Sequence, residues 1–168
     1  MRKMLPWITA ALIVAIDRVT KMAIMDRLAE GAWVPVVPGV ALTHVHNRGI
    51  AFSLFSDGGP VSRIVLHGVI LTAVVLIAWM LQRHGSHQLL AGTAFGLILG
   101  GALGNLIDRV LYGWVVDFIH LWARFGDRTV SWPDFNVADS AITVGAILLI
   151  VNEFLGPAGE SSVAPDSD

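Results

Sequence analysis

Apolar and polar positions along the chain sort into four long apolar runs separated by stretches with a different rhythm. The runs cover about Leu5 to Ile24, Ile64 to Leu81, Leu89 to Ile107 and Val137 to Leu155. Each approaches the roughly 20 apolar helical residues that a bilayer crossing requires, so the pattern predicts a membrane α-helical fold with four transmembrane helices. The first run is the weakest, because its uninterrupted apolar part ends at Ile16 and Asp17, Arg18 and Lys21 follow. Its basic start, MRK, and short apolar core also fit a cleavable signal peptide, for which LAEGA would be a poor cleavage site. Between the first two runs, WVPVVPGVALTHVHNRGIAFSLF (Trp33 to Phe55) mixes β-branched and aromatic residues with Pro and Gly, the signature of short strands and turns. A small β-sheet at the membrane surface is expected there. Residues 157–168 are low in complexity and read as a disordered tail, leaving one domain over residues 1–156.

Composition strengthens the membrane reading. Of 168 residues, 55% are hydrophobic and 14% charged, against about 25% charged in a soluble domain. The net charge of -2 gives no sign of a nucleic-acid partner. The absence of cysteine excludes disulfides, thiolate metal sites and a Cys nucleophile. Four crossings place both termini on one side and the connections Met25 to Arg63 and Asp108 to Asn136 together on the other. Arg2, Lys3 and Arg83 then fall on the terminal side, while Arg27, Arg48, Arg63, Arg109, Arg124 and Arg128 fall opposite. The positive-inside rule, taken alone, would put the termini outside.

Ionisable residues inside such runs call for an explanation. Asp17 and Lys21 are spaced i,i+4 with the acid first, the better order for a helical ion pair. Gly92, Gly96, Gly100 and Gly104 repeat every fourth position and predict a groove where another helix approaches closely. The same run ends GNLIDRV, placing Asn105, Asp108 and Arg109 at i,i+3 and i,i+4, either as an Asp–Arg pair at the boundary or as a polar shelf that positions something. Asp117 sits in the apolar run YGWVVDFIHLW without a nearby cation, facing solvent from a strand or held beside a second acid. Asn136 fits an N-cap and Asp139 the third residue of the last helix, where an acid also suits the helix dipole. His44, His46, His67 and His120 form no metal-binding box, and no metal or cofactor is expected. Nucleophile-elbow, Walker and dinucleotide motifs do not occur.

Five blocks in order resemble the bacterial lipoprotein signal peptidases, also called signal peptidase II. They are DRVTK (Asp17 to Lys21), VHNRGIAFSLF (Val45 to Phe55), GGALGNLIDRV (Gly100 to Val110), VVDFIHL (Val115 to Leu121) and FNVADSAI (Phe135 to Ile142). The resemblance implies a membrane-embedded aspartic endopeptidase with Asp117 and Asp139 as catalytic dyad. Asp17, Lys21, Asn47, Gly49, Asn105, Asp108, Arg109, Asn136 and Ala138 would support substrate or dyad. It further implies a diacylglyceryl prolipoprotein substrate cut before its lipidated Cys, the bacterial inner membrane, cytoplasmic termini and an active site toward the outer face. A monomer in contact with membrane lipid is expected. Arg48 and Ile50 depart from the family pattern in the NRGIAF loop.

The chemistry agrees with that assignment. Hydrolysis without a covalent intermediate needs a base to activate water and an acid to protonate the carbonyl oxygen and then the leaving amine. Two close carboxyls sharing one proton supply both. The helix dipole favours ionised Asp139, so Asp117 is expected to hold the proton. The rival readings are a small proton-coupled transporter, a metal-dependent lipid-headgroup transferase and a structural subunit. Against the transporter stand the four runs, the lack of an inverted repeat and the gathering of acids at one face.

Overall fold

The computed structural model describes residues 4–49, 60–84 and 89–155. Four helices follow the four apolar runs: α1 (Leu5–Arg27), α2 (Pro60–His84), α3 (Leu89–Tyr112) and α4 (Val137–Leu155). All but α4 run beyond the apolar segments, because backbone hydrogen bonding continues through polar residues that hydropathy discounts. Among the described residues, Leu89–Tyr112 and Val137–Phe154 are by themselves long and apolar enough to cross a membrane. α1 turns Asp17 and Lys21 inward, where both are fully buried, while Trp7, Ile8, Leu12, Ile16 and Val19 are exposed.

α3 is the central helix, packed against α1, α2 and α4. Glycine makes two of those contacts possible. A Cβ on Gly96 would stand 2.5 Å from the carbonyl oxygen of Pro6, and one on Gly100 2.7 Å from that of Ala10, so α1 lies directly on the glycine groove. Gly101 and, from α4, Gly145 do the same for the α3–α4 contact, against Ala138 and Ala94; neither belongs to the four-residue repeat. Ala10, Leu81, Ala91, Phe95 and Leu99 form the apolar core between α1, α2 and α3.

The sheet is larger than the sequence pattern implies. β1 (Trp33–Val37) and β2 (Val40–Asn47) lie in the expected region, and β3 (Val115–Phe125) and β4 (Arg128–Ser131) join them from the connection between α3 and α4. The four strands run antiparallel in the order β1-β2-β3-β4. The remainder of the expected surface region, Ile50 to Phe55, and the tail 157–168 lie outside the described residues. Ile24, Val116 and Phe118 pack the sheet onto the end of α1.

Two irregularities aim the sheet at the helices. The register between β2 and β3 shifts between Leu42 and Val45, so that Val45 stands opposite Asp117 and Asn47 opposite Val115. Asn47 and Asp117 then share one face as diagonal neighbours. Phe135, just before α4, exchanges backbone hydrogen bonds with Ile119 of β3, at 2.8 and 3.1 Å. That bridge sets Asn136 and the first turn of α4 beside Asp117.

Candidate active site

Asp117 and Asp139 come together at the junction of sheet and helices through Asn136. The Asn136 side-chain amide donates to Asp117 Oδ1 at 2.7 Å, and its backbone N–H donates to Asp139 Oδ2 at 3.2 Å. Asp139 returns a bond, its backbone N–H donating to Asn136 Oδ1 at 3.0 Å. Asn136 and Asp139 thus form the reciprocal cap expected of an N-cap residue and the third helical position. The cap and the pairing with Asp117 use different atoms of the same residue.

Two further asparagines complete the carboxylate contacts. Asn47 Nδ2 donates to Asp117 Oδ2 at 2.9 Å, and Asn105 Nδ2 donates to Asp139 Oδ1 at 2.8 Å. In each of the three asparagines the amide oxygen is claimed by an independent donor. Gly49 N–H takes Asn47 Oδ1 at 3.0 Å, Lys21 Nζ takes Asn105 Oδ1 at 2.9 Å, and Asp139 N–H takes that of Asn136. Flipping any of these amides would set donor against donor, so every NH2 group is fixed toward a carboxylate.

Below this lies a buried charge cluster. Lys21 Nζ donates to Asn105 Oδ1 and forms ion pairs with Asp17 Oδ2 and Asp108 Oδ2, at 2.8 and 2.9 Å. Asp17 Oδ1 accepts the Ala138 N–H at 3.0 Å, one of the free donors at the start of α4. Asp108 pairs with Arg18 and accepts the Val116 N–H at 3.2 Å. Arg18 also donates to the Tyr112 hydroxyl at 3.0 Å. Asp17, Lys21 and Asp108 are fully buried, where removal of one partner would leave a charge uncompensated.

The expected Asp108–Arg109 alternatives resolve against a local pair. Asp108 turns to Arg18 and Lys21, while Arg109 donates to the carbonyl oxygens of Asn105 (3.3 Å) and Gly49 (2.9 Å). Arg109 therefore anchors the segment after β2 to α3 and makes no hydrogen bond to either acid. Arg48 is exposed, and Ile50 lies outside the described residues. Arg18 and Tyr112 were not singled out by spacing, since their partners lie across the helix interface.

Burial pushes the Asp117 carboxyl up to about 7, with the nearby Asp139 charge adding to the rise and the Asn47 and Asn136 amides opposing it. A carboxyl with that affinity is about half protonated at neutral pH. The arrangement supplies a carboxyl able to hold a proton and a second carboxyl, both aligned by neutral donors, at the end of a helix bundle. Among the described residues no three acid or imidazole groups converge as metal ligands.

The chain matches the family model described as signal peptidase (SPase) II over residues 9–155. It is 44% identical over 149 residues to a lipoprotein signal peptidase of Burkholderia mallei (strain SAVP1), covering 88% of this chain and 87% of the relative. It is 45% identical to that of Paraburkholderia phytofirmans, covering 88% and 84%. Two solved structures titled as bacterial membrane enzymes, at 2.3 and 1.9 Å, are similar in fold. The first has a TM-score of 0.74 and 32% identity over 89% of this chain and 87% of its own. The second has 0.76 and 30% over 91% and 94%.

Proposed function

Because the chain belongs to the signal peptidase II family, we propose that Asp117 and Asp139 are the two carboxyls of its aspartic peptidase centre. The enzyme removes the signal peptide from prolipoproteins. In the proposed reaction Asp139 takes a proton from water, which attacks the scissile carbonyl. Asp117 donates its proton to the carbonyl oxygen and the leaving amine is protonated as the tetrahedral intermediate collapses. The observation that carries this reading is Asn136, which binds both carboxyls at once.

The substrate class is a prolipoprotein whose lipobox Cys bears diacylglyceryl, its lipid chains lying against the apolar exterior of the bundle. All four helices cross the bilayer in this reading, as one domain over residues 1–156. Support comes from the inverted distribution of side chains, with Leu71, Val75, Trp79, Ile147 and Ile150 exposed while Asp17, Lys21 and Asp108 are buried. The termini face the cytoplasm and the sheet lies at the outer face. Arg109, committed to Gly49 and Asn105, drops out of the arginine count that argued otherwise.

The test is cleavage of a diacylglyceryl prolipoprotein by purified wild type, Asp117→Asn and Asp139→Asn. Each variant should lose at least about 10²–10⁴-fold in kcat/KM while keeping its helix content. Cleavage persisting in both folded variants would remove the dyad.

A further inference from the structure

His44 and His46 stand two residues apart on β2 with their Nε2 atoms 3.2 Å from each other. Each ring is held by its other nitrogen. His44 Nδ1 lies 2.8 Å from the carbonyl oxygen of Leu28, and His46 Nδ1 lies 3.1 Å from Glu30 Oε1. The Leu28 carbonyl only accepts, so His44 Nδ1 carries the hydrogen, and the Glu30 carboxylate beside His46 Nδ1 favours the same tautomer there. In neutral rings the two Nε2 atoms then turn bare lone pairs toward each other. Such a pair is complete only when a cation, a proton or a metal ion, joins the two nitrogens.

Metal-ligating histidines share these features: one nitrogen for the ion, the other donating its hydrogen to a carboxylate or backbone carbonyl that fixes tautomer and orientation. Two imidazoles bound at about 2.0–2.1 Å to a tetrahedral ion would have their nitrogens about 3.3 Å apart, close to the 3.2 Å found. We propose that His44 and His46 form a two-imidazole site for a late divalent transition-metal ion such as Zn2+, Cu2+ or Ni2+. The site lies apart from the dyad, because His46 shares its sheet face with Val116, whereas Asn47 and Asp117 share the other.

Among the described residues no third ligand joins the pair, so water completes the coordination and Cu2+ should bind more tightly than Zn2+. The ion would fasten the Leu28–Glu30 corner after α1 to β2, next to Asn47, without touching the reacting groups.

The test uses the full-length chain in detergent, without an affinity tag and stripped of metal. Titration with Cu2+ should give an electron paramagnetic resonance signal with two imidazole nitrogens, and Zn2+ should raise the unfolding temperature. His44→Gln and His46→Gln should each lose both responses yet still cleave lipoprotein in metal-free buffer. Glu30→Ala, which keeps both ligands, should bind about 10-fold or more weakly, and it tests the site even where a histidine variant fails to fold. A wild-type protein that takes up neither ion, the pair sharing only a proton, would overturn the proposal. So would a two-nitrogen signal that survives in both glutamine variants, since the ion would then sit on other histidines.

Discussion

Three buried aspartates and the half-buried Asp139 lie within one hydrogen-bonded network, and the four divide into two pairs by what faces them. Asp17 and Asp108 are met by Lys21 and Arg18, with one backbone N–H each. Asp117 and Asp139 are met by asparagine amides and a backbone N–H, with no cation among the described residues in hydrogen-bond contact. In a poorly solvated interior a contacting cation favours the charged state of a carboxylate. A neutral amide can support either state, which leaves the proton free to move. The first pair holds α1, α3 and α4 together; the second retains the capacity for acid–base work. Identity of residue type is therefore no guide to role, and the neighbours decide it.

The largest expected effect comes from removing the cation both structural acids share. Lys21→Met should lower stability by about 3–5 kcal/mol, read from thermal unfolding in detergent, and release the Asn105 amide that faces Asp139. An unaltered unfolding temperature with full cleavage would break the distinction between the pairs.

Next in size is a pH effect at Asp117. Its folded value of about 7 exceeds the ordinary 3.8, so the folded state retains a proton that the unfolded chain has lost. The stability this gives is complete below about 4 and is lost as pH rises through about 7, at up to ~1.4 kcal/mol per pH unit. Asp117→Asn should lack that slope, so the stability difference between variant and wild type should shift in the variant's favour across the window. Parallel curves would show that Asp117 holds no proton in this window.

The smallest effect sharpens the role of the amides. Asn47→Ala removes a donor that favours ionised Asp117, so the alkaline limb of the cleavage profile should move to higher pH while the fold persists. A limb that stays in place would assign Asn47 a purely structural part.

Much of this was legible from local pattern. Apolar runs locate the helices, the i,i+4 spacing of Asp17 and Lys21 gives their ion pair, and the Asn136–Asp139 spacing gives the cap. Family resemblance pointed to the two acids, and their surroundings now support that choice. The β3–β4 hairpin was not anticipated, although a turn signal, Gly126 with a positive φ of 60° followed by Asp127, lies within it. Apolar β3 pairs with β2 across the whole of α2 and α3, and such pairing leaves no trace in local periodicity. For the same reason Arg18 could not be matched with Asp108, nor Arg109 with Gly49.

Asn136 gives the site a mechanical property as well as a chemical one. Both acids are gauged from a single residue, one from its side chain and one from its backbone. Positioning error therefore does not accumulate through several joints between them. Helices that tilt as the bilayer thins or thickens would carry the pair as one fixed gauge block, and the gap between the two carboxyls would keep its width.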